Sequence, residues 1–340
     1  VNVLAYAVLG TMIGLYVLLD GYDLGVAALE FFVARDERQR GMAMASIGPF
    51  LHGNEVWLIA AGGALFALFP QAYASSFSGF YLPFMIVLWL LMFRGIALEL
   101  RSHFRGHLWR GFWDVAFSGS SLLLILLFGV ALGNLLRGVP LDTAGYFQGT
   151  FAFLLSPYAL VVGVFAVAAI GMHGAAFLSL RIGGELGERS HAAVLKLVGP
   201  VALLYLIVTI WTAALRAPAA GGLGNVMLHV GWLAVLPVLG LAALAGAFVS
   251  ARRHNGGATF GASCLFIVTL LAAAAGTMYP YIIPAFPAGA GGLSIFAASP
   301  SPPALYSALV VTIVGSIGVL TYATIVFRRF GLKLTSDSLR

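Results

Sequence analysis

The chain has 340 residues, of which 61% are hydrophobic and 9% charged, with a mean hydropathy of +1.00. A water-soluble domain carries about 25% charged residues, so that class is excluded. The formal charge of +6 does not signal nucleic acid, because the basic residues lie in loops between apolar segments. One cysteine, Cys264, sits inside an apolar run, which leaves neither an intramolecular disulfide framework nor a cysteine metal cluster. The first basic residue is Arg35, so no basic leader region is visible and no cleavable signal peptide is expected.

A helix rising about 1.5 Å per residue needs roughly 20 residues to cross about 30 Å of hydrocarbon. Nine such segments are predicted, at residues 3–32, 44–69, 77–98, 112–135, 157–180, 195–214, 226–248, 259–279 and 303–327. The fold class expected is therefore all-α, a polytopic integral membrane protein with nine transmembrane helices. Open strands cannot satisfy their backbone groups in lipid, and the short alternating segments of a membrane barrel are missing from the sequence. The longest connections are 137–156 and 280–302. The second holds Pro280, Pro284, Pro287, Pro300 and Pro302 with several glycines and reads as ordered coil. Residues 1–340 read as a single integral membrane domain, with room for two packed helix bundles whose boundary nothing in the sequence marks.

The loops test the span count. Taken alternately, one side receives Arg35, Arg38, Arg40, Arg101, Arg105, Arg110, Arg181, Arg189, Lys196, Arg252, Arg253, Arg328, Arg329, Lys333 and Arg340. The other side receives only Arg137 and Arg216, while Arg94 falls within the third span. Basic loops stay in the cytoplasm, so the N-terminus is expected outside and the C-terminus inside.

Ionisable groups in hydrocarbon cost several kcal/mol unless paired or hydrated, and each requires a reason. In the first span, Asp20, Asp23 and Glu30 are separated by three and seven residues and share a helix face. Asp20 and Asp23 read as a buried polar network, functional or structural. Glu30 reads as an acid that neutralises a buried arginine or sits in water near the helix end. In the second span, His52 and Glu55 are again three apart, with Asn54 and Trp57 beside them. Such a pair can exchange protons near neutral pH or lock two helices together. It is not the HExxH zinc pattern, and no metal site is expected.

Arg94 is expected to pair with an acid of another helix, whereas Glu99 and Asp114 lie near the cytoplasmic surface, where salt bridging or capping accounts for them. His173, deep in the fifth span, could ligate a haem iron, hydrogen-bond a quinone or link helices. Helix packing, or a position beside lipid or quinone, is the reading for Trp57, Arg94 and His173. His103, His107, His191, His229 and His254 lie near the surfaces and are weak ligand candidates.

Several segments in order carry a family resemblance: Asp20-Gly21-Tyr22-Asp23-Leu24-Gly25, Gly53-Asn54-Glu55-Val56-Trp57-Leu58, Ala61-Gly62-Gly63-Ala64-Leu65-Phe66, Phe77-Ser78-Gly79-Phe80-Tyr81 and Phe93-Arg94. Gly133-Asn134-Leu135-Leu136-Arg137-Gly138-Val139-Pro140, His173-Gly174-Ala175 and Tyr279-Pro280 follow. Together they resemble subunit II of the cytochrome bd-type quinol oxidases, over essentially the whole chain. The resemblance implies a complex in the bacterial or archaeal cytoplasmic membrane that oxidises membrane quinol and reduces dioxygen to water. It implies two b-type haems, and commonly haem d, on a larger partner, subunit I, which also holds the quinol-oxidising site. This chain would stabilise the assembly and support proton uptake from the cytoplasm, with a structural quinone in some members and a small accessory subunit as a further partner. It would hold no complete catalytic centre of its own.

The sequence departs from the resemblance at one place. The bacterial pattern resembles tryptophan-aspartate-glycine-asparagine, where this chain has Leu51-His52-Gly53-Asn54, and Glu55 stands where glutamine is frequent. Either the polar function has moved by one turn or this branch uses a different route, and Asp20, Asp23, His52 and Glu55 read as a proton pathway or a buried polar network. Two other classes remain compatible with the residues: an ion-coupled secondary transporter, which calls for a second broken-helix half-site, and a noncatalytic assembly subunit.

Overall fold

The computed structural model describes residues 1–104, 106–220, 235–287 and 290–331. Arg105, His229, Lys333, Arg340 and the first part of the seventh predicted span (226–234) lie outside the described residues. In chain order the helices are α1 (Asn2–Val33), α2 (Glu37–Leu68), α3 (Pro70–Gly79), α4 (Tyr81–Leu100), α5 (His107–Arg137), α6 (Phe151–Leu154), α7 (Pro157–Arg181), α8 (Gly184–Ala220), α9 (Val235–Arg252), α10 (Gly256–Met278) and α11 (Pro302–Phe330). Among the described residues, nine of these are long and apolar enough to cross a membrane, and the chain is an all-α polytopic membrane protein.

The helix limits follow local chemistry. Asp36 caps α2 by accepting the Gln39 N–H at 2.8 Å, and Ser156 caps α7 with Pro157 in its first turn. The third predicted span differs from its expected start. The chain breaks at Phe80, giving the short α3 that Pro70 begins and then α4. The connection 280–302 also differs from coil. It forms two short antiparallel strands, β1 (Tyr281–Pro284) and β2 (Gly292–Ser294), with a bulge between Tyr281 and Ile283. Asp142 organises the facing loop. Its carboxylate accepts the N–H groups of Ala144 at 2.9 Å and Tyr146 at 2.8 Å, which hold it below the usual carboxylate range. That contribution to loop order is present at neutral pH and is lost as pH falls through the lowered value.

The most buried span is α7, which packs on α1, α5, α8 and α10. Small residues let the backbones close. A Cβ built at Gly25 would stand 2.1 Å from the Ile170 carbonyl oxygen, and one at Gly174 would stand 2.3 Å from the carbonyl carbon of Gly25. Between α5 and α7, a Cβ at Gly129 would meet the Gly163 Cα at 2.7 Å. In lipid such close packing replaces the hydrophobic drive that operates in water. The helices α4 and α11 lie at the periphery and turn Trp89, Phe93, Val311 and Val314 outward, a surface suited to hydrocarbon or to another membrane subunit.

Gly25→Ala or Gly174→Ala should force α1 and α7 apart. Each should lower the Tm and the yield of purified protein sharply, whereas Gly10→Ala, where nothing lies within 4 Å of the added methyl, should leave both unchanged. Thermal scanning of the three variants in detergent checks this.

Candidate functional site: a buried ion network

The sequence places acids on α1, an acid and a histidine on α2, and an arginine on α4; packing of α1 on α2 brings these together. Arg94 is completely buried. Its Nη2 donates to Asp20 Oδ1 at 2.6 Å and its Nη1 donates to Asp20 Oδ2 at 3.0 Å, a two-pronged pair. The same Nη1 donates to Glu55 Oε1 at 3.0 Å. One guanidinium therefore joins three helices. Its Nε has no partner.

Asp23 takes a different partner. The Asn54 amide donates to Asp23 Oδ2 at 2.7 Å and to the Tyr22 hydroxyl at 2.8 Å, and the second oxygen of Asp23 has no donor. Asn54 is thus a site residue that charge counting passes over, since an amide carries no charge and reads as a helix-polar residue. Towards the surface, His52 Nδ1 stands 3.8 Å from Glu55 Oε2, and its Nε2 stands 3.8 Å from Glu99 Oε1. Side-chain exposure falls along this line from 72% at Glu99 and 67% at His52, through 25% at Glu55, to zero at Arg94 and Asp20. The geometry is a line of polar side chains of falling exposure that ends on a buried ion pair.

A second polar set lies further along α1. Asp114 of α5 pairs with Arg40 at 3.2 Å and with Arg101. Glu30 is buried with both carboxyl oxygens unpartnered. It is therefore not in water, contrary to one of the two expectations, and it stands near Arg101 and Arg40 without a hydrogen bond to either. Its seven-residue spacing from Asp23 was the available signal, because that spacing keeps both on the buried face.

His173 joins three helices. Its Nε2 lies 3.0 Å from the Leu18 carbonyl of α1 and its Nδ1 2.9 Å from the Ser263 hydroxyl of α10, while its ring stacks on Phe260. A carbonyl at Nε2 requires the N–H there, which leaves Nδ1 to accept. Both nitrogens are engaged, and among the described residues no group of three or more His, Cys, Asp or Glu could hold a metal ion. His173 therefore has no free ring nitrogen to offer a haem iron. Trp57 is fully buried between α1 and α2 neighbours, with no partner for its indole N–H. A cavity of about 460 Å³ between α2 and α11 is lined by Ala60, Gly63, Ala64, Val311 and Gly315, with Met12 of α1. The Ser307 and Ser316 hydroxyls at its wall are turned back onto their own helix. Thr312 adds a further hydroxyl to this otherwise apolar wall.

These features define a class: a polytopic helical membrane subunit with a titratable line leading from one surface to a buried ion pair. The chain belongs to the cytochrome bd terminal oxidase subunit II family, whose family description matches residues 1–330. It is 32% identical over 305 residues to the Cytochrome bd-I ubiquinol oxidase subunit 2 of Escherichia coli (strain K12), covering 82% of this chain and 80% of that protein. It is 33% identical over 294 residues to the Probable cytochrome oxidase subunit 2 of Haemophilus influenzae, covering 78% and 77%. The bd oxidase structure from Geobacillus thermodenitrificans superposes with a TM-score of 0.78 over 97% of this chain and 98% of that one, at 18% identity, a likeness of fold. The family is one of noncatalytic subunits of respiratory quinol oxidases, which pair in the membrane with a haem-bearing subunit I.

Removing one partner of a buried, two-pronged ion pair typically costs about 3–5 kcal/mol, because the remaining charge stays desolvated. Arg94→Gln should therefore lower stability by about that amount, and adding Asp20→Asn should recover part of the loss. A double-mutant cycle read by Tm tests the coupling; additive losses would show that the pair does not act as a unit.

Proposed function

We propose that this chain stabilises the haem-bearing subunit of a quinol:dioxygen oxidoreductase and supplies part of its proton inlet. The observation that carries the inlet is the line Glu99–His52–Glu55–Arg94–Asp20, with exposure falling steadily along it. Two carboxyl groups, Asp20 and Glu55, share one guanidinium, and Asp23 beside them is held by Asn54 and keeps one oxygen free of donors. Such a set can take up and release protons without an unpaired buried charge at every step. His52 is the exposed member that hands protons, through water, to Glu55 at 3.8 Å.

On this reading the haems, two of b type and one of d or b type, reside on the partner, where they carry electrons from quinol to dioxygen. The residues of this chain bind none of them and act by holding α1, α2 and α4 and by carrying protons. The reading includes a single integral domain, location in the bacterial cytoplasmic membrane, an outside N-terminus and an inside C-terminus. The asymmetry of the basic loops supports that orientation. A secondary transporter is less well supported, since the described acids collect around α1 with no matching half-site among the later helices.

His52→Phe and Glu55→Gln, made in the intact two-subunit complex, should slow proton uptake and turnover at least several-fold while haem absorption and assembly stay unchanged. Time-resolved uptake with a pH dye is the measurement. Normal uptake in both variants would remove the inlet assignment, and normal turnover with reduced yield would instead mark a helix-locking role. Orientation has its own check: a single cysteine introduced at Gly145 should react with an impermeant reagent from outside, and one at Arg189 only after the membrane is opened.

A further inference from the structure

The end of the bundle that carries the basic loops has an open cavity of about 540 Å³ that the ion network does not use. Its wall comes from Glu37, Arg38 and Gly41 in the first turns of α2, Arg101 and Ser102 just beyond α4, and Arg110 in the first turn of α5. Three guanidinium groups face one carboxylate, an excess of two positive charges. Asp114, behind this wall, is shared between Arg101 and Arg40, so it does not cancel the excess.

The donors are partly held and partly spare. Glu37 engages Arg110 through Nη1, and Asp114 engages Arg101 through Nε and Nη2. A guanidinium has five N–H donors, so both arginines retain others. Arg38 is exposed and makes no ion pair among the described residues. The two carboxylates thus fix two of the arginines while the third stays available. A rigid, planar donor group of this kind suits the oxygens of a phosphate better than a lysine does.

The level of the cavity narrows the ligand further. Helix α2 has 32 residues, about 48 Å at 1.5 Å per residue, against about 30 Å of hydrocarbon, so its first turn reaches the headgroup layer. Leu108 and Phe112, flanking Arg110 on α5, are both strongly exposed, as are Phe32 and Phe104 at the same end. Charged walls beside outward apolar side chains match a molecule with an anionic head and hydrocarbon tails. Basic pockets between membrane helices bind such headgroups.

We propose that this cavity binds a phosphate group, presented by the headgroup of an anionic phospholipid. Arg38 and the spare N–H groups of Arg101 and Arg110 hold the phosphate oxygens, and the acyl chains lie along Leu108 and Phe112. The site is independent of the proton inlet and of the direction in which the chain is inserted.

The test uses the purified membrane complex after removal of endogenous lipid by detergent exchange. It is titrated separately with phosphatidylglycerol, phosphatidylcholine and inorganic phosphate, and read by native mass spectrometry and by Tm. Phosphatidylglycerol should bind saturably and raise the Tm, with phosphatidylcholine weaker. Arg38→Glu should weaken phosphatidylglycerol binding by about tenfold, since it replaces an attraction of this kind with a repulsion. Arg110→Gln should weaken it less, and Arg329→Gln, on α11 and outside the cavity wall, should leave it unchanged. Equal binding by wild type, Arg38→Glu and Arg110→Gln would overturn the site. Inorganic phosphate binding that Arg38→Glu abolishes, with phosphatidylglycerol no better than phosphatidylcholine, would keep the phosphate site and overturn its lipid source. No saturable binding of any probe would overturn both.

Discussion

A full positive charge sits where no water reaches it, and the helices around it are arranged to answer it. Arg94 lies on α4, a peripheral span with few other buried residues. Its two-pronged bond to Asp20 and its third bond to Glu55 tie that span to α1 and α2 at a fixed depth and rotation. Apolar side chains alone would leave α4 free to slide, because hydrocarbon solvates leucine as well as a neighbouring helix does. A buried ion pair adds little net stability against an apolar replacement, but it penalises every register in which the charges are apart. In this chain α1 is the element through which that constraint spreads, since it also contacts α7 through Gly25 and receives His173 at the Leu18 carbonyl.

The same arrangement gives the network its chemical direction. A salt bridge that served only to lock helices could be sealed from both surfaces. Here Glu55 has one oxygen on Arg94 and the other facing the imidazole of His52, so one carboxyl is both an ion-pair partner and the neighbour of an exposed base. The exchange of His for an acid at position 52, together with Glu for an amide at position 55, fits this picture. The acid stands at Glu55, against the arginine, and the exposed position is an imidazole. Asn54 between them turns to α1 instead, donating to Asp23 and Tyr22. About one turn of α2 thus carries an exposed imidazole, an ion-pair partner and an amide clamp.

Much of this was legible in the sequence, for physical reasons that can be named. Hydrocarbon demands long apolar runs, so the spans were evident, and the shared face of Asp20 and Asp23 followed from helical spacing. The break at Phe80 was hidden because the apolar run continues across it, and hydropathy does not record a change of axis. The strands at Tyr281–Pro284 and Gly292–Ser294 were hidden by prolines and glycines that suit irregular coil equally well. Which acid Arg94 would choose was not legible, since four carboxyl groups of the first two spans were available to it. For Glu30 the nearness of the helix end suggested water or a buried arginine, and the fold buries it near Asp114, Arg101 and Arg40. His173 could be read three ways until its two nitrogens were seen to be engaged.

The segment Asp20-Gly21-Tyr22-Asp23-Leu24-Gly25 shows why such a motif cannot be divided between packing and chemistry. Asp20 and Asp23 reach toward α4 and α2, where Arg94 and Asn54 meet them. Gly21 and Gly25 lie on the opposite side against α7, where a methyl at Gly21 would come within 3.2 Å of the Ile170 side chain and one at Gly25 would strike backbone. Tyr22 closes the gap between the two sides. Its ring stacks on Phe177 of α7 at 4.0 Å, and its hydroxyl accepts from the Asn54 amide of α2. Widening the glycine seam would move α1 away from α7 and change the reach of both acids, because helix faces move as one body. The close approach of α1 and α7 is therefore part of the electrostatics of the site: it sets how deep Asp20 and Asp23 stand, and so which partners can compensate them.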